Sequence, residues 1–183
     1  MTQSETETLV ADPRYPIGPW DRQPVVGAAA VAAAIDSIAA TPARLRAAVA
    51  GLSDEQHDTP HRDGGWTLRQ VVHHVPDSHI NAYVRCRWTL TEGSPLIKTY
   101  EEHLWAELPD ARNAPVEPSL VLLEALHVRW VLLLRALGDA ELDRAYRHPE
   151  MGEVPLRKLL GLYAWHGRHH EAHILRLRER KGW

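Results

Sequence analysis

A chain of 183 residues and 20.7 kDa has the size of one domain and can bury a core without covalent staples. Its single cysteine, Cys86, excludes an internal disulfide, and with it a secreted disulfide scaffold; a reducing compartment fits best. A net charge of −3 argues against a broad basic footprint for nucleic acid.

The opening MTQSETETLV is acidic and polar, without the basic start and apolar run of a signal peptide. No run of about 18 apolar residues follows. A soluble, cytoplasmic protein is expected. Residues 1–14 read as a disordered lead and 15–183 as one domain. Tyr15 to Pro24, with Pro16, Pro19 and Trp20, reads as an extended arm whose aromatics pack on the body.

Gly27 to Leu52 is alanine-rich with helical spacing. Pro42 is predicted to kink that helix or split it near Thr41. Ser53, Asp54 and Gln56 mark a short capped turn, and His61 to Gly65 a loop. Thr67 caps a second helix running to about Thr91, in which Pro76 predicts a kink. A short helix is expected from Tyr100 to Leu108.

Pro118 opens a third helix to about Leu137, stopped by Gly138. Tyr146 to Val154 reads as a loop or small hairpin. Pro155 opens a fourth helix to about Lys181, stopped by Gly182. Four long helical patterns and no convincing sheet predict an all-α four-helix bundle. The connections are long, so crossovers and short extra helices are expected.

Twelve histidines cluster rather than scatter. His73, His74 and His79 fall together on the second helix, and His166, His169, His170 and His173 on the fourth. Residues four apart share a helix face, so His166 and His170 can reach one metal ion. Both fall in the apolar stripe of the fourth helix, about 40° apart. His173 lies near that stripe and His169 at its edge. On the second helix the wheel leaves the third ligand open. His79 looks more interior, while His74 shares the other side with Ser78, Asn81 and Arg85.

Three imidazoles leave a coordination position open for water or substrate, the arrangement of a catalytic site. Imidazole ligands suit Zn, Ni, Fe or Cu. No general base is identifiable: there is no His-Glu-x-x-His, and Glu171 points about 100° away from His170. Asp77, one turn after His74, is a candidate to orient a ligand imidazole. Asn81 and Arg85 are candidates to face a substrate, and His173 to support the ligands. Trp66, Trp105, Trp130 and Trp165 read mainly as core residues. Cys86 projects with the apolar face and reads as buried.

The order and spacing of these rare residues resemble the DinB/YfiT superfamily, in its YfiT-like branch of metal-dependent hydrolases. The matching stretches include Tyr15-Pro16-Ile17-Gly18 and Asp63-Gly64-Gly65-Trp66-Thr67-Leu68-Arg69-Gln70. They continue through His73-His74, Asp77-Ser78-His79, Trp105-Ala106-Glu107-Leu108, Leu126-His127-Val128-Arg129-Trp130, and Tyr163-Ala164-Trp165-His166 with His169-His170. The match spans about Tyr15 to Trp183. It implies a four-helix bundle, one divalent metal ion per subunit, and a homodimer. Carried over by position, the ligands are His74, His166 and His170, which selects His74 over His79. Pro76 departs from the pattern two residues after a ligand.

The resemblance implies a hydrolase acting on a small-molecule substrate, with Zn the first expectation for the metal and Ni the second. A thiol S-transferase using a low-molecular-weight thiol such as bacillithiol is the alternative. A non-catalytic metal-binding stress-response protein is the third reading. Neither a nucleic acid nor a membrane is expected as a partner.

Overall fold

The computed structural model describes residues 12–183. Most of the expected disordered lead, residues 1–11, lies outside the described residues. Four long helices form the body: α1 (Ala28–Val49), α3 (Leu68–Thr91), α6 (Glu117–Arg135) and α8 (Leu156–Lys181). Short helices α2 (Asp54–His57), α4 (Glu102–Trp105), α5 (Pro109–Asn113) and α7 (Asp139–Leu142) punctuate the connections. Strands β1 (Ala145–His148) and β2 (Gly152–Pro155) pair antiparallel, with Tyr146 opposite Val154.

Local signals set most boundaries. The Thr67 side chain accepts from the Gln70 amide, and the Gln70 side chain returns a bond to the Thr67 amide. Ser53 and Gln56 repeat this reciprocal cap on α2. Each such cap stabilises its helix by about 1 kcal/mol. At the far end of α8, Gly182 takes a left-handed conformation at φ 70°, which the missing Cβ permits.

Of the two readings of Pro42, the split near Thr41 is not seen: α1 runs through it as one helix, and α3 runs as one helix through Pro76. The short helix expected from Tyr100 to Leu108 is confined to α4, and Pro109 opens a separate helix, α5, beyond the expected range. The α7 turn after Gly138 had no apolar periodicity to reveal it. One further difference concerns α1. By length and composition it reaches the range of a membrane-crossing helix, at mean hydropathy 1.2, because its alanines outweigh its few charges.

α1 packs on α6 and α8, and α3 packs on the same two helices. The consecutive long helices α1 and α3 therefore stand on a diagonal, and the connection between them crosses the bundle. The arm from Tyr15 to Pro24 lies along α8: Trp165 Nε1 donates to the Gly18 carbonyl at 3.1 Å, and the Val25 amide to the Arg157 carbonyl at 3.3 Å. Gly161 leaves room for this, since a Cβ there would stand 3.3 Å from the Gln23 carbonyl.

The core comes in two halves. One gathers Ile38, Ala82, Cys86, Trp130, Leu134, Tyr146, Leu159 and Tyr163. The other gathers Leu45, Leu68, Val72, Val75, Leu123, Ile174 and Leu177. Along every long helix, polar residues fall between the two sets: Thr41 on α1, Ser78 and His79 on α3, His127 on α6, and His166 and His170 on α8, with His74 at the edge of the second set on α3. A polar layer thus cuts across the bundle, and the site lies in it.

Candidate metal centre

His74 comes from the first half of α3, and His166 and His170 from successive turns of α8. Each offers a ring nitrogen, and the three nitrogens lie within 4.8 Å of one another. His74 Nε2 and His166 Nε2 are 3.3 Å apart. Two imidazoles sharing a tetrahedral ion at about 2.05 Å each would stand about 3.3 Å apart, so the spacing fits a common ion. His74 and His170 are buried, while His166 keeps a partly exposed edge. Trp66 covers the His74 ring from the α3 side, at 4.7 Å between centroids.

Burial keeps these rings neutral. It lowers the His74 pKa to about 4 and holds His166 and His170 well below the ordinary imidazole value. A neutral imidazole has one bare nitrogen, which is what a metal ligand needs. His170 Nδ1 is buried with no hydrogen-bond partner, an orphaned atom that points to a missing contact.

The wheel's second candidate on α3 has a different place. His79 is fully buried, with its Nε2 3.1 Å from His166 Nδ1 and its Nδ1 2.8 Å from His127 Nε2. His127 Nδ1 in turn meets the Ile38 carbonyl at 2.8 Å. A carbonyl only accepts, so His127 carries its proton on Nδ1 and presents a bare Nε2. His79 must then donate from Nδ1, and its Nε2 accepts from His166 Nδ1. The series leaves His166 Nε2 bare and aimed at His74. Sequence reasoning missed this relay because it joins three helices; only the interior phase of His79 signalled it.

The other residues fall as follows. Asp77 makes no side-chain hydrogen bond to an imidazole among the described residues; burial and nearby Asp110 raise its pKa to about 6. Asn81 donates to the Asp77 carbonyl at 2.9 Å and, with Arg85, lines a cavity of about 750 Å³. His173 stands apart from the triad. Its Nε2 meets His169 Nε2 at 3.0 Å and its ring packs on His61. Glu171 turns away to pair with Arg44 at 3.0 Å. Burial pushes the Cys86 thiol up to about 11, so it stays protonated. Trp130 is fully buried as expected, but Trp105 is 39% exposed and packs against Tyr100 with the rings tilted at 51°, beside the cavity.

Residues 37–174 match the model of the DinB superfamily. The chain belongs to the DinB superfamily. Its curated relatives include proteins of Bacillus mycoides (strain KBAB4) and Geobacillus thermodenitrificans (strain NG80-2), both named "Putative metal-dependent hydrolase". They are 51% and 52% identical over 172 residues, covering 94% and 93% of this chain and 99% and 96% of theirs. Among solved structures, the chain is similar to YfiT from Bacillus subtilis, described as a probable metal-dependent hydrolase with an unusual four-helix bundle topology. The likeness has a TM-score of 0.91 at 45% identity and covers 93% of this chain and 98% of YfiT. The family resemblance and the bundle fold read from the sequence are both borne out. The diagonal placement of α1 and α3 describes this chain's own topology.

Proposed function

We propose that this DinB-superfamily protein is a metal-dependent hydrolase of a small molecule, with a divalent ion held by His74, His166 and His170. The carrying observation is the convergence of three neutral imidazole nitrogens within 4.8 Å, with no fourth His, Cys, Asp or Glu grouped with them among the described residues. Such an ion supplies a Lewis acid and lowers the pKa of a bound water. Three uncharged donors preserve the ion's full positive charge, and imidazole ligation suits Zn first and Ni second.

The chain's own residues supply the rest. The His127–His79–His166 series fixes the tautomer of one ligand. Trp66 shields the His74 ring from water. Asp77 is the one carboxyl on α3, and its raised pKa lets it exchange a proton near neutrality. We assign it to proton transfer. Residues 15–183 act as one unit in this reading, supported by the ties of the arm to α8. The outer face of α6 leaves Val121, Leu122, Val128 and Leu132 exposed, which favours pairing of two copies in a homodimer.

Elemental mass spectrometry of untagged protein purified without chelator tests the site. About one ion per chain is expected, with loss in the His166→Ala, His170→Ala double variant. An absence of metal after incubation with zinc and nickel overturns the reading. Loaded protein is then screened on ester and amide panels beside transfer of a low-molecular-weight thiol. Turnover of the first kind alone supports hydrolysis, whereas thiol transfer alone replaces it.

A further inference from the structure

Arg85 lies on α3, about 16 Å along the helix from His74 at 1.5 Å per residue. At about 100° per residue, His74, Ser78, Asn81 and Arg85 fall within about 60° of one another and form one ridge. Arg85 is only 9% exposed. A buried guanidinium normally meets a carboxylate, because removing its charge from water is costly. No carboxylate pairs with Arg85 among the described residues; its one protein acceptor is the Lys98 carbonyl at 3.2 Å. The side chain instead lines the cavity of about 750 Å³, within the size range of small-molecule sites.

The surroundings of this cation favour an anion with an apolar body. Ile80, Val84, Trp88, Leu104 and Trp105 supply the apolar wall of the cavity. Lys98 adds a second positive charge, and Glu101 supplies the one acidic group of the lining. Tyr100, itself in the lining, and the buried Tyr146 and Tyr163 lie close enough to Arg85 for its charge to act on all three phenols. Burial keeps these phenols protonated. The hydroxyl of Tyr163 donates to the Ser78 carbonyl at 3.2 Å, and its ring lies 5.5 Å from that of His166. Buried Ser78 and Tyr163 stand between the imidazole triad and the cation, and none of the three imidazoles lines the cavity itself.

We propose that this cavity is the substrate subsite, and that Arg85 binds a carboxylate or phosphoryl group on a substrate with an apolar body. The proposal rests on the hydrolase reading for the word substrate; the anion site itself does not need the metal. It makes Arg85 a specificity-determining residue, one that selects anionic over neutral substrates of equal shape.

The test compares 4-phenylbutyrate with 4-phenylbutanol, which share a body and differ in the charged head. Phenylphosphate tests the phosphoryl alternative. Affinities are measured by calorimetry on metal-free and on zinc-loaded protein. Wild type is expected to prefer at least one anion over the alcohol by about tenfold or more in both states. Arg85→Gln should erase that preference, and Arg85→Lys should retain part of it. In unsubstituted protein, the Arg85 Nε–H resonance should move on adding the preferred anion and stay put with the alcohol. This second readout holds even if the Arg85 variants fail to fold. Equal affinities for the anions and the alcohol, a preference that survives Arg85→Gln, or an unmoved Arg85 resonance overturns the proposal. Anion preference without any metal binding sinks the hydrolase reading alone and leaves the anion site standing.

Discussion

His127 Nδ1 takes the carbonyl of Ile38 at 2.8 Å, the carbonyl that Pro42 leaves free by having no amide hydrogen to return to it. A helix defect on α1 thus anchors a hydrogen-bonded series that ends at His166 in the triad. Replacing His127 by Leu orphans the His79 Nδ1 donor and returns the Ile38 carbonyl to an unpaired state. Each buried group left unpaired costs about 1–3 kcal/mol. With nothing fixing the His79 tautomer, His79 can turn a proton toward His166, and the ligand nitrogen loses its assignment. Zinc affinity in His127→Leu should fall about 10- to 100-fold. A competition titration against a chelator checks this, beside a urea curve. A folded variant with unchanged zinc affinity would remove the relay from the account of the site.

Gly167 separates the two ligand-bearing turns of α8 and faces Thr41 on α1. A Cβ at Gly167 would stand 2.4 Å from Thr41 Oγ1 and 2.7 Å from Thr41 Cγ2. Those contacts belong to a β-branched side chain held by its bond to the Ser37 carbonyl, so the helices must part. Gly167→Ala should destabilise by about 1–3 kcal/mol despite the better helix propensity of alanine. Thr41→Ala in the same chain should recover most of the loss. A double-mutant cycle on urea midpoints measures the coupling. Additive losses would mean that the two helices do not close on this pair.

The bundle itself was largely legible in the sequence. Thr67 with Gln70, Ser53 with Gln56, Pro155 and Gly182 are local signals, and each marks a boundary within a residue or so of the observed one. The i,i+4 spacing of His166 and His170 gave their shared face for the same reason. Contacts between helices were less visible. The wheel placed His79 inside without revealing that its neighbours are His127 and His166. Pro42 read as a kink or a break, because its compensation comes from His127 on α6, 89 residues along the chain from Ile38. Trp105 read as core, yet it borders an open cavity, since its apolar neighbours come from the irregular stretch around Tyr100.

Acid should unfold the metal-free protein early. Burial lowers His74, His127 and His169 to about 4 and His173 to about 3, against an ordinary value of 6.5. For an imidazole with a depressed folded-state pKa, the unfolded chain binds protons first. The stabilisation is complete above about pH 6.5 and is lost progressively as pH falls toward 4 and 3. Urea midpoints taken from pH 8 down to pH 4.5 should therefore decline below pH 6.5. Bound zinc should move that decline, because protons and metal compete for the same nitrogens. A flat profile for the metal-free protein would contradict the burial of the cluster.

Asp77 works in the opposite sense. Its pKa is raised to about 6 from an ordinary 3.8, so the folded chain disfavours its charged form. Wild type carries no such penalty below about pH 3.8 and carries it in full above about pH 6. Asp77→Asn cannot ionise, so it should become more stable relative to wild type as pH rises from 4 to 7. The gain should be about 1–2 kcal/mol, reduced from the full shift because the side chain retains some contact with water. If Asp77 moves a proton in the reaction, the same variant should lose turnover by about 10²- to 10⁴-fold while keeping its zinc. Gained stability with lost turnover is the signature of a strained functional carboxyl. Gained stability with intact turnover would confine Asp77 to an electrostatic burden on the fold and send the search for the proton acceptor elsewhere.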